Sequence, residues 1–190
     1  MAVARNTDIM VVGYHGRKGT KPDPTVLGTA VQYLSLSTPT PVFILKNAIE
    51  RKKKTNNAYL HALCSDGSRQ SISALNIIMR IRQPQDKIAI IICEQENIDA
   101  AKVQKQIEDM LEEEECLDQS TFKVIESAQG QRSCDLIRNA VNAWTGDDYI
   151  DFIYVGNKGA DYSSRDDKRY LGSVTNEIIR HTKLNCVFIP

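Results

Sequence analysis

Asp151-Phe-Ile-Tyr-Val-Gly156-Asn-Lys-Gly159 is the stretch of this chain that decides its fold, because the chain carries it twice. The first copy is Asp8-Ile-Met-Val-Val-Gly13-Tyr-His-Gly16. In each copy a short apolar run stops at Gly-x-x-Gly, which predicts a buried strand that enters a tight turn. A loop then leads to Leu27-Gly28-Thr29 in the first copy and to Leu171-Gly172-Ser173 in the second. We expect a helix to start near each of these glycines.

Both copies finish in a short apolar strand. The first ends in Pro41-Val-Phe-Ile-Leu45 and the second in Cys186-Val-Phe-Ile-Pro190, so the two copies are separated by about 143–145 residues. Aligning the shared Val-Phe-Ile letters makes the two strands equivalent. The basic run Arg51-Lys52-Lys53-Lys54 follows the first copy and predicts a solvated linker. A phosphate-binding cluster is the alternative interpretation of this run.

Apolar runs alternate with helical patterns over residues 58–190, which indicates a parallel sheet with crossover helices. Ser68 is placed to cap the first helix, whose Ile72, Leu75 and Ile78 fall on one face. Five strands with four crossovers predict a three-layer α/β domain. The predicted strands are Tyr59–Cys64, Lys87–Cys93, Phe122–Glu126, Asp151–Val155 and Cys186–Ile189, and the predicted helices start at Ser68, near Ala100, at Ser133 (with Trp144 on its apolar face and Gly146 as its end) and near Gly172.

The order of three motifs resembles the universal stress protein family. Asp66-Gly-Ser68 follows the first strand of the domain, Gly-x-x-Gly follows the fourth, and Gly172-Ser173 precedes the last helix. The resemblance implies an open five-stranded parallel sheet of the adenine-nucleotide alpha hydrolase-like type, complete over residues 58–190. It also implies that residues 1–46 are the C-terminal strand-helix-strand half of a second such domain, joined by a linker at residues 47–57.

The resemblance also implies a ligand and a mode of pairing. Universal stress proteins associate through their last strand, so Val42 to Leu45 is expected to pair with Val187 to Ile189. Nucleotide-binding members hold ATP or AMP, with Mg²⁺ as a possible companion, and open α/β sheets bind ligands beyond the carboxyl ends of their strands. The expected contacts fall on six residues: Asp66 at the adenine or ribose edge, Ser68 in the same loop, Gly156 and Gly159 where backbone approaches the phosphates, and Gly172 and Ser173 at a helix N-terminus.

Two observations support a different interpretation of these glycines. Twelve residues separate Gly159 from Gly172, where about nine are usual in the family, and this loop carries Asp161, Asp166 and Asp167. Like charges there oppose a polyphosphate unless a metal ion or nearby basic side chains offset them. The glycines would then only shape a tight strand-to-helix turn. In that case the protein is a scaffold or assembly subunit that keeps the fold without the ligand.

Composition argues against several classes of function. The 24 basic and 24 acidic residues cancel, which removes the broad positive field that gathers nucleic acid or anionic membrane. Five scattered cysteines without CxxC pairs indicate reduced thiols in a cytoplasmic compartment, where small core roles are commonest. No apolar run is long enough to span a bilayer. We expect self-association or membership of a larger protein assembly, because an incomplete domain leaves a sheet edge exposed.

Catalysis has little support in the sequence. His15, His61 and His181 fall in different elements, with no serine or cysteine paired to them, and His61 is expected to be packed or hydrogen-bonded within its strand. Asp147, Asp148 and Asp151 suggest either a metal cluster or a solvated turn before a strand, and the turn is the more frequent case. The sequence therefore predicts a binding module rather than an enzyme.

Overall fold

The computed structural model describes residues 8–14, 28–47, 53–54, 57–127, 130–144, 149–157 and 171–190. Strands and α-helices alternate along these residues. The strands are β1 Met10–Gly13, β2 Val42–Leu45, β3 Leu60–Ser65, β4 Lys87–Cys93, β5 Ser120–Ile125, β6 Phe152–Gly156 and β7 Asn185–Ile189, and the helices are α1 Thr29–Ser37, α2 Arg69–Ile81, α3 Ala100–Glu113, α4 Ser133–Asn142 and α5 Ser173–His181. In this part of the chain, no helix is long and apolar enough to cross a membrane.

All seven strands belong to one mixed sheet with the order β1-β2-β7-β6-β3-β4-β5. Strands β3 to β7 run parallel and are joined by crossover helices, which confirms the predicted five-stranded α/β architecture. β1 and β2 are parallel to each other, and β2 is antiparallel to β7. The antiparallel pairing of β2 with β7 therefore joins the N-terminal strands to the rest of the sheet.

Apolar clusters cover both faces of the sheet. The strand β4 shows this most clearly, because its alternate residues enter different clusters: Ile88, Ile90 and Ile92 pack under α2 and α3, and Ala89, Ile91 and Cys93 face the side of α4 and α5. Every one of these side chains is buried. A central parallel strand with helices on both sides requires such a continuous apolar run.

The helices begin largely where the sequence predicts. The Ser68 hydroxyl accepts a hydrogen bond from the backbone N–H of Ser71 at 3.4 Å and so caps α2, and Gly172 directly precedes α5. α4 begins at Ser133 as predicted, but Trp144 lies beyond its last residue. Gly146, predicted to end α4, lies outside the described residues.

The strand pairing confirms the predicted junction between the two copies and gives its register, which the sequence did not predict. Val42 pairs with Phe188, Phe43 with Val187, and Ile44 with Cys186. Within each copy, Gly13 pairs with Leu45 and Gly156 with Ile189, so Leu45 and Ile189 are the equivalent residues.

The alignment of the shared Val-Phe-Ile letters is therefore wrong by one residue. Val42 is equivalent to Cys186, and both face the same apolar cluster, whereas Val187 faces the other one. A shift of one residue in a strand moves every side chain to the opposite face of the sheet. Strand pairing, with which burial agrees, fixes the equivalence rather than the identity of the letters.

The linker is anchored at Lys54. Its ammonium lies 3.0 Å from Asp151 Oδ2 and donates to the carbonyl of Tyr149. Asp151 is only 2% exposed, and its carboxylate also accepts from the N–H of Leu60 at 2.9 Å. The prediction of a solvated linker is therefore wrong at Lys54, whose ammonium is paired with Asp151. The prediction of a solvated turn is wrong at Asp151, whose carboxylate is buried. Arg51, Lys52, Asp147 and Asp148 lie outside the described residues.

Candidate functional site

The topological switch point of the sheet lies between β3 and β6. From β3 the chain proceeds to β4 and β5 on one side, and then crosses back to β6 and β7 on the other. The two parallel strands end at Ser65 and Gly156, so the loops that follow them lie side by side at one edge of the sheet. This is the location at which open α/β sheets hold ligands.

Hydrogen bonds fix the loop after β3. Asp66 Oδ1 accepts from the N–H of Ser68 at 3.0 Å, which is a local turn that aspartate favours. The hydroxyl of Ser65 accepts from the N–H of Gly67 and donates to the hydroxyl of Ser71 at 3.1 Å. The Asp66 carboxylate is consequently held in a defined orientation at the switch point.

Gly67 cannot be replaced in this loop without strain. Its φ is +74°, in the left-handed region, and an added Cβ would lie 2.9 Å from Val103 Cγ2 of α3. Only glycine adopts this conformation at little cost. The Asp-Gly-Ser sequence is therefore a structural unit, in which Gly67 has a conformational role that the sequence did not indicate.

Gly156 brings β6 into contact with the first turn of α2. A Cβ at Gly156 would lie 2.8 Å from Gln70 Cβ, and the Gly156 carbonyl accepts a hydrogen bond from Thr175 Oγ1 at 2.5 Å. The end of β6 is thus held between α2 and α5. Gln70 and Thr175 make these two contacts. No sequence motif predicts them, because both contacts depend on how the helices pack on the strand.

Gly172 brings α5 against the residue after β6. The Asn157 side-chain carbonyl accepts from the N–H of Gly172 at 3.3 Å, and a Cβ at Gly172 would lie 2.7 Å from the Asn157 backbone oxygen. The Asn157 N–H donates in turn to the carbonyl of Ile189 at 2.8 Å. Gly172 at the N-cap has no side chain that could cap α5, and Ser173 in its first turn is exposed. A helix N-terminus of this kind favours an anion.

The structure therefore brings five of the six predicted site residues to one edge of the sheet. Asp66 and Ser68 lie in the loop after β3, and Gly156, Gly172 and Ser173 lie at the end of β6 and the start of α5. Gly159 lies outside the described residues, as does the loop with Asp161, Asp166 and Asp167. In the N-terminal copy, Gly28 precedes α1 as predicted.

The described histidines lie away from this edge. His61 is the second residue of β3, and its Nδ1 lies 2.9 Å from the Tyr154 hydroxyl. Its Nε2 lies 3.4 Å from Asp86 Oδ2, and Asp86 accepts from the N–H groups of Tyr59 and Gln83. The side chains of His61, Tyr154 and Asp86 are all buried, which confirms the prediction that His61 is packed or hydrogen-bonded within its strand. His181 lies in the last turn of α5, and His15 is outside the described residues.

The cysteines are small core residues, as predicted. All five are free and buried. Burial raises the pKa of the Cys64 thiol to about 12, and it also raises the pKa of Cys93 and Cys186. Thiols that stay protonated at neutral pH are poor nucleophiles and poor metal ligands. Among the residues that the structure describes, no group of three His, Cys, Asp or Glu side chains is placed to hold a metal ion.

A cavity of about 390 Å³ lies at the opposite edge of the sheet. Its lining includes Leu60 and Lys87 at the amino ends of β3 and β4, Lys123 of β5, and Trp144. No sequence motif points to it, and it does not adjoin Asp66 or Gly172. The switch point remains the candidate site on topology and on local geometry.

Comparison with known proteins agrees with the fold. No family model matches the sequence, and no curated protein matches it. Solved structures do. A universal stress protein from Archaeoglobus fulgidus DSM 4304 superposes with a TM-score of 0.61 at 17% identity, over 96% of this chain and 60% of that one. This chain has the fold of the universal stress proteins.

Two further structures bear on its extent. A functionally unknown protein from Pseudomonas aeruginosa PAO1 gives a TM-score of 0.63 at 11% identity, over 96% of this chain and 62% of that one. The chain thus spans about three fifths of the length of these two proteins. A universal stress protein in complex with cAMP gives a TM-score of 0.51 at 18% identity, over 70% of this chain and 96% of that one.

Proposed function

We propose that residues 58–190 form an adenine-nucleotide-binding regulatory module that takes ATP or AMP and performs no catalysis of its own. The observation that carries the proposal is that Asp66 and the start of α5 lie at the same edge of the sheet, beside the switch point between β3 and β6. A carboxylate and a helix N-terminus at one crevice suit the two ends of a nucleotide. The cAMP complex of a protein with this fold supports an adenine nucleotide as the ligand class.

Each end of the nucleotide has a chemical partner in this arrangement. Asp66 is oriented by its hydrogen bond from Ser68, and a carboxylate accepts hydrogen bonds from ribose hydroxyls or from the adenine amino group. The N–H groups and the hydroxyl of Ser173 lie at the positive end of the helix dipole, where phosphate oxygens are stabilised. Ser68 and Gly159 complete the proposed contact set, and Mg²⁺ would offset phosphate charge near the acidic loop.

The absence of catalysis is part of the proposal. Among the described residues, the buried His61 is engaged by Tyr154 and Asp86 near the amino end of β3, so it is not available as a base at the crevice. Nucleotide occupancy would instead regulate the association of the protein with itself or with a larger assembly.

Calorimetric titration with ATP, AMP and cAMP, each with and without Mg²⁺, tests the site. The Asp66→Asn variant keeps an acceptor for the Ser68 N–H and removes the charge, so we expect affinity to fall at least about tenfold with an unchanged melting temperature. Asp118→Asn is the matched control, because Asp118 is exposed before β5 at the other edge of the sheet. Equal affinities of Asp66→Asn and wild type would contradict this site assignment.

A scaffold without a ligand is the second candidate, and the glycines favour it. Gly156 and Gly172 both make protein contacts that exclude a side chain, so their presence requires no phosphate. Under this hypothesis the purified protein releases no nucleotide on denaturation, and titration of any of the three nucleotides gives no saturable heat. Saturable binding that Asp66→Asn abolishes would reject the scaffold hypothesis in favour of the first proposal.

A further inference from the structure

The N-terminal elements repeat the C-terminal ones around a local two-fold axis. β1, α1 and β2 are equivalent to β6, α5 and β7, and the axis passes through the Phe43–Val187 pair of the antiparallel junction. Under this relation Val11 is equivalent to Tyr154, Tyr33 to Glu177, and Leu45 to Ile189. The second copy therefore shows how each position of the first is packed in a complete unit.

Three apolar side chains of the first copy are exposed where their equivalents are buried. Val11 is 65% exposed and Tyr154 is 0%. Tyr33 is 67% exposed and Glu177 is 9%, and Leu45 is 39% exposed and Ile189 is 4%. Val11 and Leu45 face one side of the sheet, and Tyr33 lies on the helix that packs on the other side, all at the β1 end of the strand order. Several exposed apolar groups at one end of a sheet indicate an interaction surface, whereas single ones are ordinary.

In the second copy, the equivalent positions are covered by β3, α2 and α4. α2 packs on β6, with Gln70 directly against Gly156, and β3 lies beside β6 with Leu63 opposite Tyr154. α4 packs on α5, and its Arg138 forms an ion pair with Glu177. Val11, Leu45 and Tyr33 therefore lie where a strand like β3 and helices like α2 and α4 would cover them.

The outer edge of β1 also presents backbone N–H groups that another strand could bind. The N–H groups of Met10 and Tyr14 donate toward β2, to the carbonyls of Pro41 and Leu45 at 2.9 Å. Alternation along a strand then points the N–H groups of Val11 and Gly13 away from β2. Within the described part of the chain, no strand pairs with that edge. Unpaired edges of this kind take up strands from other segments.

We propose that Val11, Tyr33, Leu45 and the outer edge of β1 form a docking surface for a strand-and-helix segment of the same type as residues 58–150. The segment adds a parallel strand beside β1, lays one amphipathic helix over Val11 and Leu45, and packs another beside Tyr33. A second copy of this chain does not supply it, because its own β3 is paired on both sides by β4 and β6. The two neighbours that are covered to 60% and 62% have further chain outside the superposed part, which is room for such a segment in those proteins. The proposal does not depend on nucleotide binding.

A chimera tests the docking surface directly. A second copy of residues 58–150 is placed before Met1, and the full chain follows it unchanged. Residues 1–7 then join the added segment to Asp8, just as the original residues 58–150 lead directly into Asp151. Hydrogen exchange of the peptide covering residues 8–14 is compared between the chimera and the unmodified chain. We expect the Val11 and Gly13 amides to exchange at least about tenfold more slowly in the chimera, because a paired amide exchanges only after opening.

Two substitutions in the chimera separate docking from a general effect. Val11→Asp places a charge under the docked helix and should restore fast exchange. Val124→Asp, made in the original copy at the 42% exposed residue of the opposite edge strand, should leave the protection intact. Unprotected β1 amides in the chimera, or equal loss with both substitutions, would overturn the proposal. A dimer of the unmodified chain that Val11→Asp dissolves would assign this edge to a second copy and would overturn it as well.

Discussion

Gly28 and Gly172 occupy the same position in the two copies and make the same kind of contact. A Cβ at Gly28 would lie 3.1 Å from the Tyr14 backbone oxygen, and one at Gly172 would lie 2.7 Å from the Asn157 backbone oxygen. Their φ angles of −59° and −56° are open to any residue, so these glycines provide space rather than an unusual conformation. The helix start lies against the end of the preceding strand in each copy, and the second copy is the tighter one.

Alanine at these two positions should therefore have unequal effects. In Gly172→Ala the clash is with backbone, which cannot rotate away, and we expect the free energy of unfolding to fall by about 1–3 kcal/mol. In Gly28→Ala a shift of a few tenths of an ångström relieves the contact, and the loss should be below about 1 kcal/mol. Urea denaturation of both variants measures the difference. A larger loss in Gly28→Ala would contradict this account of the turn.

At the scale of elements, the segment after β2 binds the end of α5. The Lys46 ammonium donates to the carbonyls of Ile179 and Thr182, the latter at 2.7 Å, and lies 4.7 Å from the centre of the Tyr14 ring. Asn185 Oδ1 accepts from the N–H groups of Lys46 and Asn47. A cation at a helix C-terminus offsets the negative end of the dipole. Burial lowers the pKa of Lys46, while the nearby Cys186 thiol opposes that shift.

Removal of this ammonium should loosen the contact between the two copies. Lys46→Met keeps most of the apolar stem and leaves two carbonyls without their charged donor, so we expect a loss of about 1.5–3 kcal/mol in the free energy of unfolding. Lys183→Met is the control, since Lys183 is exposed in the turn after α5 and should change stability little. Guanidinium denaturation compares them. Equal stabilities of the two variants would show that the Lys46 contacts contribute little.

The sequence predicted elements best where the apolar pattern was unambiguous. The run Lys87–Cys93 ends at a glutamate and fixes both ends of β4, and the Asp-Gly-Ser and Gly-Ser motifs fix the starts of α2 and α5. It failed at the last strand of the repeat, where identical letters suggested an alignment one residue away from the one that burial imposes. Short apolar strands permit both registers by composition, and only pairing with β1 and β6 decides between them.

The location of a candidate site residue was predictable where the residue directly follows a strand. Asp66 and Gly156 each follow an apolar run, so their placement at the carboxyl edge followed from the parallel topology. Gln70 and Thr175 were not foreseen, because their roles depend on how closely a helix approaches a strand. Lys54 was missed for a similar reason, since the partner of its charge lies about a hundred residues along the chain.

At the scale of the whole molecule, β2 covers the edge of β7. The side chains of Cys186, Val187 and Phe188 are buried, and β7 would become an edge strand without β2. Deletion of residues 1–47 should therefore expose an apolar edge that pairs with another molecule. We expect the molar mass from light scattering to rise with concentration for the deletion more than for the full chain. A deletion that remains monomeric and equally stable would contradict this role of the N-terminal strands.

The antiparallel junction also orients the two copies. Because β2 and β7 run in opposite directions, β1 and β6 do so too, and Gly28 and Gly172 mark helix starts at opposite edges of the sheet. The two edges are separated by about one strand length, roughly 15 Å at 3.3 Å per residue. The two helix starts are therefore separate positions rather than parts of one site. If the docking surface were filled and the first copy gained a ligand of its own, the two occupancies could influence each other only through a coupling free energy transmitted across the shared sheet, and that coupling would act equally in both directions.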